Sequence, residues 1–182
     1  MKFYIKDIRD YKNKKISNNF SKQALKYNNA KKNISLLAWA LLEEILSEEY
    51  LVETDKLIIG IKDKGKPYFV NSSIEFSISH SNNLILIGIG KRELGVDIEY
   101  CKDRDNYEKL IRKIDDNITT FDKDTLYSLW TKKEARYKRK NDINLLEINI
   151  KDIEEVYTFS YFDKDNLEYK VSIDCDEIIE NW

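Results

Sequence analysis

The spacing of apolar residues along this chain switches between the period of a strand and that of a helix, and this alternation limits the folds it can adopt. Residues 2–6 alternate as a short strand does, and residues 7–32 are polar, which predicts loop with a short helix. An amphipathic helix follows, with Asn33 or Ser35 as its N-cap. Its apolar positions recur at helical spacing: Ile34, Leu37, Ala38, Leu41 and Ile45.

The rest of the chain repeats this order of elements. Four strand-like segments come next, at 57–61, 74–79, 84–89 and 94–99, and residues 67–70 lead out of a turn between the first two. After them the pattern predicts helices at 105–117 and 123–138, strands at 156–162 and 167–174, and a tail or short helix at 177–182. An order of strand, helix and strands that occurs twice suits an α+β fold of two similar halves, the first ending near residue 90.

Charge and cysteine content argue against several classes of protein. Lys and Arg total 31 and Asp and Glu total 33, a formal net charge of −2, so no basic excess draws the chain to nucleic acid or to an anionic membrane. No apolar run approaches the ~20 residues of a membrane span, and the first residues lack the apolar stretch of a signal peptide. Two cysteines, Cys101 and Cys175, are too few for a disulfide scaffold. We therefore expect a cytoplasmic protein without nucleic-acid or membrane partners.

The segment Gly95-Val96-Asp97-Ile98-Glu99 brings two carboxylates to one side of a predicted strand. Residues two apart on a strand share a face, so Val96 and Ile98 face a core while Asp97 and Glu99 project together. Neighbouring carboxylates repel each other unless a cation lies between them, and Mg²⁺ prefers such hard oxygen ligands. The same pattern also occurs in an ordinary half-exposed strand, so the segment alone leaves both interpretations open.

The second long helix carries another candidate, in the run from Trp130 to Lys138. Trp130, Glu134 and Lys138 lie at i, i+4 and i+8, which is one stripe of a helix. Glu134 could ligate a metal or act as a general base, and Lys138 could hold a phosphate, but the same Glu–Lys pair is common on solvated helices. We expect the helix to start near Asp122 or Asp124. Its buried side is expected to comprise Leu126, Leu129, Trp130 and Tyr137.

The chain has a single histidine, His80, so every histidine-dependent scheme rests on it and a three-histidine zinc site is excluded. It lies between Ser79 and Ser81 at a predicted strand end, where it could bind phosphate or cap a turn. No serine lies in a G-x-S-x-G elbow, which disfavours a Ser-His-Asp hydrolase. The G-K-P segment at Lys66 predicts a turn. The lack of G-x-x-x-x-G-K-[ST] and G-x-G-x-x-G patterns disfavours a P-loop kinase and a Rossmann dehydrogenase.

Taken in chain order, four segments resemble the 4′-phosphopantetheinyl transferase superfamily, and most of all its surfactin-synthetase-activating (Sfp-type) branch. They are G-K-P, F-S-I-S-H-S, G-V-D-I-E and W-T-K-K-E-A-R-Y-K, all between residues 65 and 138. This resemblance implies an enzyme that transfers the phosphopantetheine arm of coenzyme A to a serine of an apo acyl or peptidyl carrier protein. The other product would be adenosine 3′,5′-bisphosphate.

The resemblance also implies a fold and a metal. Two similar α/β halves, 1–88 and 89–182, would pack as a pseudo-dimer with the active site in the cleft between them. The first half would contact the CoA phosphates, and the second would hold the carboxylates. Mg²⁺, with Mn²⁺ as a substitute, would be bound by Asp97, Glu99 and Glu134. A fused pair of halves would act as a monomer.

Further roles follow from the same resemblance. Glu134 would activate the acceptor serine, and Lys138 would neutralise or protonate the leaving phosphate, with Asp97 completing the catalytic set. The CoA phosphates would be held by Lys66, Ser79, His80 and Lys138. The family commonly carries an arginine where this chain has Ile34, and Lys31 and Lys32 just before it would substitute. Trp130 would be a packing anchor.

Two other functions remain open at this point. A metal-dependent phosphodiesterase or nuclease also uses clustered carboxylates with a nearby lysine, and the run from Lys132 to Lys140 offers six basic residues in nine. The second open function is that of a non-catalytic module that docks a carrier protein. The same basic run could steer an acidic carrier, in which case charge reversal at Lys132 or Arg136 would raise KM for the carrier more than for CoA.

Overall fold

The computed structural model describes residues 1–11, 14–25 and 29–180, and describes no side chain for residues 29–32 or Leu146. The strands of the described part are β1 (Lys2–Asp7), β2 (Ile59–Ile61), β3 (Pro67–Phe69), β4 (Glu75–Ser81), β5 (Leu84–Gly90), β6 (Leu94–Tyr100), β7 (Tyr157–Phe162) and β8 (Glu168–Cys175). Its α-helices are α1 (Asn18–Ala24), α2 (Asn29–Glu48), α3 (Tyr107–Ile114) and α4 (Lys123–Lys140). Mixed helix and antiparallel sheet confirm the α+β class.

The first three-stranded sheet is antiparallel and has the order β1-β5-β4. One of its faces packs against α2, whose buried leucines and alanines meet the isoleucines of β5, Ile85, Ile87 and Ile89. The helix is described from Asn29 onward, so Asn33 and Ser35 lie inside it, and the prediction that either is the N-cap was wrong. The polar first turn has no apolar period, so the sequence signal for this helix starts only at Ile34.

The second three-stranded sheet is also antiparallel, in the order β6-β8-β7, and packs against α4. In both sheets the strand that comes last in sequence lies in the middle, and a long helix connects the first two strands. The Asp122 carboxylate accepts the Thr125 N–H at 2.8 Å and caps α4, as predicted. Asn141, in the left-handed conformation with φ of 52°, ends the helix.

The buried side of α4 differs from the prediction. Of the four residues expected there, Leu126 is buried, whereas Leu129, Trp130 and Tyr137 are only half-buried. The other buried positions are Tyr127, Thr131, Lys133, Ala135 and Arg139. Apolar periodicity missed three of them because they are polar: Thr131 and Arg139 bond side chains of the second sheet, and Lys133 bonds the end of α3.

The two three-stranded sheets share one apolar core. Leu84 and Leu86 of β5 pack against Val96 and Ile98 of β6, together with Met1, Phe3, Tyr169, Val171 and Ile173. Consequently β5 is buried on both faces, with α2 on one side and the second sheet on the other. This packing brings β4, an edge strand of the first sheet, alongside β6.

A small hairpin of β2 and β3 lies beside the first sheet. Its turn contains Gly65, whose φ of 90° falls in the left-handed region that favours glycine. The strands lie within about two residues of their predicted positions. Residues 176–180 form no helix, and Trp182 lies outside the described residues. No helix in the described ranges has the length and apolar character needed to cross a membrane.

Candidate active site

A cavity of about 390 Å³ opens between the first sheet with α2 and the second sheet with α4. Residues from all four sequence segments line it. Of the predicted site residues, those in its wall are Lys66, Ser79, His80, Asp97, Glu99, Glu134 and Lys138. Trp130, Glu134 and Lys138 all face it, so the predicted stripe of α4 is correct. The side chains of Lys31 and Lys32 lie outside the described residues.

Gly95 sets how closely α4 approaches β6. A Cβ atom at this position would lie 1.9 Å from the Ala135 carbonyl oxygen and 2.6 Å from the Arg139 nitrogen, both backbone atoms. Only a residue without a side chain allows such a contact. The helix therefore lies directly on the strand, and Glu134 and Lys138 come to line the same cavity as Asp97.

Asp97 is the most enclosed of the three carboxylates, with a relative exposure of 3%. Its Oδ1 accepts two bonds of 2.7 Å, one from the Ser79 hydroxyl and one from the Lys138 ammonium. Its Oδ2 is buried and has no hydrogen-bond partner among the described residues. A buried carboxylate oxygen without a partner is costly, and a bound cation would satisfy it.

Glu99 and Glu134 both lie in an environment that disfavours their charged form. Burial raises the pKa of each carboxyl, and the charge of Asp97 raises both further. The Ser81 hydroxyl donates to Glu99 Oε2 at 2.9 Å and opposes part of this effect. Three carboxylates thus line one cavity, and one of them, Asp97, is bonded to the Lys138 ammonium.

The donor chemistry of this cavity fits Mg²⁺, which takes carboxylate oxygens in preference to nitrogen or sulfur ligands. Within the described residues, no three His, Cys, Asp or Glu side chains already form a closed metal cluster. The fit therefore rests on the unpartnered Asp97 oxygen and on two carboxyls whose pKa a cation would lower.

Lys66 occupies the cavity wall but is already engaged. Its ammonium donates to the Leu94 carbonyl oxygen at 2.8 Å, and the residue is only 8% exposed. Burial lowers the pKa of this amine to about 8. This lysine therefore ties the G-K-P turn to the start of β6 in addition to lining the cavity.

The basic run of α4 does not form a continuous exposed face. Lys133 is buried and donates to the Ile114 carbonyl oxygen at 3.2 Å, which ties α4 to the end of α3. Arg136 Nε lies 2.7 Å from an oxygen of buried Asp174, and Arg139 bonds the same carboxylate. Arg136 is therefore paired within the molecule, and the run gives a nuclease little surface for a nucleic-acid backbone. Steering of an acidic carrier by this run stays a prediction.

Sequence reasoning missed several residues of the cavity wall. Ser35 and Trp39 come from α2, which the apolar period marked only as core, and Tyr137 and Asn141 come from the end of α4. The one usable signal was the alternation of Ser77, Ser79 and Ser81 on a strand. It shows that the three share a face, but it does not show what they face.

Comparison with known proteins supports the resemblance drawn from the four segments. The chain is 26% identical over 155 residues to the 4′-phosphopantetheinyl transferase gsp of Aneurinibacillus migulanus, covering 79% of this chain and 65% of that protein. It is 25% identical over 118 residues to the 4′-phosphopantetheinyl transferase Sfp of Bacillus subtilis, covering 58% and 51%. The similarity to Sfp-type transferases is thus confirmed at modest identity. The chain spans about half to two thirds of the length of these relatives, and no protein-family model matches it.

Proposed function

We propose that this protein transfers the 4′-phosphopantetheine arm of coenzyme A to a serine of an acyl or peptidyl carrier protein. The observation that carries the proposal is that residues from four separate segments line one cavity, among them an acidic group with an unpartnered buried oxygen. Relatives named as 4′-phosphopantetheinyl transferases support the same reaction. We propose further that the protein is a monomer that acts on carrier proteins in the cytoplasm.

The proposed fold has two related halves, 1–88 and 89–182, that pack as a pseudo-dimer. It is supported by the shared strand order of the two sheets and by the long helix in the same place in each. The first half ends within β5, which extends to Gly90. The cavity then receives Lys66, Ser79 and His80 from the first half and its carboxylates from the second.

Asp97, Glu99 and Glu134 are the proposed ligands of Mg²⁺. When bound, the ion neutralises the pyrophosphate of CoA and the charge that develops on it during transfer. Asp97 offers Oδ2 for this purpose, because Oδ1 is bonded to Ser79 and Lys138. Burial and the neighbouring carboxylates raise the pKa of the two glutamates, and binding of a cation would offset the repulsion among them.

The proposed transfer is an in-line displacement at phosphorus. The acceptor serine oxygen forms a bond to the phosphorus that carries the pantetheine arm, and the bond from that phosphorus to the leaving adenosine bisphosphate breaks. Glu134 takes the serine proton, a role that its raised pKa suits. Lys138 lies beside Asp97 and neutralises the leaving phosphate or gives it a proton.

Coenzyme A is proposed to bind with its phosphates toward the first half. His80 and Lys66 would contact them, with Lys138 at the boundary between the halves and Ser79 beside it. His80 suits this role because a nearby phosphate favours the imidazolium form.

The test is mass spectrometry of apo carrier proteins of the fatty-acid, polyketide and peptide-synthetase types after incubation with the protein, CoA and Mg²⁺. We expect a phosphopantetheine mass increase on at least one carrier. Glu134→Gln should lower the rate by roughly 10²-fold or more, because a positioned base contributes about that factor. Glu53→Gln, at a glutamate that does not line the cavity, should leave the rate unchanged. No modification of any carrier, with CoA binding confirmed, would contradict the proposal.

A further inference from the structure

Three serines of β4 bond in a regular row to the backbone of β6. This serine row consists of Ser77, Ser79 and Ser81. Their hydroxyl oxygens accept successive alternate N–H groups of β6, at 3.1 Å from Val96, 3.4 Å from Ile98 and 3.0 Å from Tyr100. Because β6 is at the edge of its sheet, its backbone pairs with no strand of that sheet on this side, and β4 approaches it only through side chains. The serine row takes the place of a paired strand.

Two members of the serine row also hold the acidic residues of the cavity. Ser79 donates to Asp97 Oδ1 at 2.7 Å, and Ser81 donates to Glu99 Oε2 at 2.9 Å. A hydroxyl has one hydrogen and two lone pairs. Accepting the backbone N–H therefore leaves its hydrogen for the carboxylate, and both pairs join residues eighteen positions apart.

Ser77 makes the backbone bond but contacts no carboxylate among the described residues. The residue eighteen positions after it is Gly95, which has no side chain, and the backbone of α4 fills the space where one would be. Ser77 and Ser81 are therefore a natural matched pair. Both bridge β4 to β6 through an N–H group, but only Ser81 also bonds an acidic side chain.

We propose that Ser81 is a positioning residue for Glu99, in the way that Ser79 is for Asp97. Each serine holds one carboxylate oxygen and directs the other toward the metal. Asp97 shows this division between its two oxygens: Oδ1 is bonded to Ser79, and Oδ2 is buried without a partner among the described residues. This inference rests on the proposed function, in which Asp97 and Glu99 bind Mg²⁺.

The serine row couples ligand orientation to the packing of the two sheets. The same hydroxyls that hold the carboxylates also bind the backbone of β6, so a shift of β6 against β4 would turn both ligands. A partner group that orients a metal ligand typically contributes a factor of about 10 to 100 in metal affinity. We expect the loss of the Ser81 hydroxyl to fall in this range.

The test measures Mn²⁺ binding in the presence of CoA by the electron paramagnetic resonance signal of free Mn²⁺. Ser81→Ala should weaken binding about 10-fold or more, whereas Ser81→Thr, which keeps the hydroxyl, should bind nearly as tightly as the wild type. Ser77→Ala should lose stability in urea to a similar extent as Ser81→Ala but keep its Mn²⁺ affinity. If Ser81→Ala does not fold, Ser81→Cys, with its weaker donor, should show a smaller loss in the same direction.

The outcomes separate this inference from the proposed function. Equal losses of Mn²⁺ affinity in Ser77→Ala and Ser81→Ala, or no loss in Ser81→Ala, would overturn the positioning role. Absence of Mn²⁺ binding by the wild type would overturn it too, because Glu99 would then not be a metal ligand. If the variants differ as expected but no carrier protein is modified, the transferase proposal fails while the positioning role stands.

Discussion

At the residue scale, the cavity depends on charged groups that are held away from water. Lys66 is the clearest case, because a lysine that is 8% exposed and bonded to a carbonyl oxygen has no counter-ion in that bond. Burial disfavours its charged form, which lowers the pKa to about 8. The same residue is proposed to contact a CoA phosphate, and a phosphate would restore the proton that burial disfavours.

This environment predicts a pH dependence of stability. The pKa of Lys66 is about 8 in the folded protein and about 10.4 in an unfolded chain. Between these values the unfolded state binds more protons, so folding becomes more favourable as pH rises, by up to about 1.4 kcal/mol per pH unit. Below about pH 8 the folded protein bears the full cost of burying the charged lysine, and above about pH 10.4 this cost is absent.

The measurement is urea unfolding of wild type and Lys66→Met at pH 7 and pH 9.5. We expect the unfolding free energy of wild type to rise relative to that of Lys66→Met between the two pH values. The difference in unfolding free energy between the two proteins at each pH excludes contributions from other titrating groups, because both proteins share those groups. A difference that is constant with pH would mean that Lys66 titrates as an exposed lysine does.

At the scale of elements, the contact between α4 and β6 creates the site. The helix begins at an acidic cap, ends at a left-handed asparagine, and carries Glu134 and Lys138 on the stripe that faces the cavity. Its opposite side is fastened by ion pairs between Arg136, Arg139 and buried Asp174. These buried pairs fix which face of the helix points to Asp97, because breaking one would leave an uncompensated charge.

Gly95→Ala tests this contact. The added methyl group would meet backbone atoms of α4 that cannot rotate away, so we expect a loss of about 3 kcal/mol in unfolding free energy. Because the helix must move, CoA-dependent Mn²⁺ binding should weaken as well. Gly60→Ala is the control, since its methyl group would meet the ring of Tyr68, a half-buried side chain that can turn away. Equal stability of the two variants would show that α4 does not depend on this close contact.

At the scale of the whole molecule, the two sheets cannot separate without exposing a common core. Leu84 and Leu86 of the first sheet are almost completely buried against Val96 and Ile98 of the second. The Arg9 guanidinium adds a link at the surface, since it bonds Asp7 near β1 and also Asp163 and Asp165 in the β7–β8 turn. Each sheet thus buries one of its faces in this shared core.

The shared core predicts cooperative unfolding. In native-state hydrogen exchange followed by mass spectrometry, peptides from β5 and β8 should open with the same free energy and the same dependence on denaturant. Both strands contribute to one core, so neither can open alone without exposing apolar surface of the other. If β8 opens at a lower free energy than β5, the halves are independent units and the cavity between them is correspondingly mobile.

The sequence by itself indicated the class of fold, the positions of nearly all strands and the four segments from which part of the cavity wall is built. It could do so because period-2 and period-3.6 patterns are local, and because the four segments carry their chemistry in short runs such as G-V-D-I-E. Local patterns also located the start of α4 near Asp122 or Asp124, and in the structure the Asp122 side chain caps the helix. The start of α2 escaped them because a polar first turn has no periodic signal.

The tertiary structure alone decided which partners these residues meet. That Ser81 faces Glu99, that Ser77 faces a glycine, and that Lys66 bonds the Leu94 carbonyl all depend on how the sheets pack. The same holds for the basic run of α4, where Lys133 and Arg139 point inward although their neighbours are polar. Each contact joins segments distant in the chain, so no local pattern records the distance between them. The free energy of packing, summed over both sheets, selects these pairs.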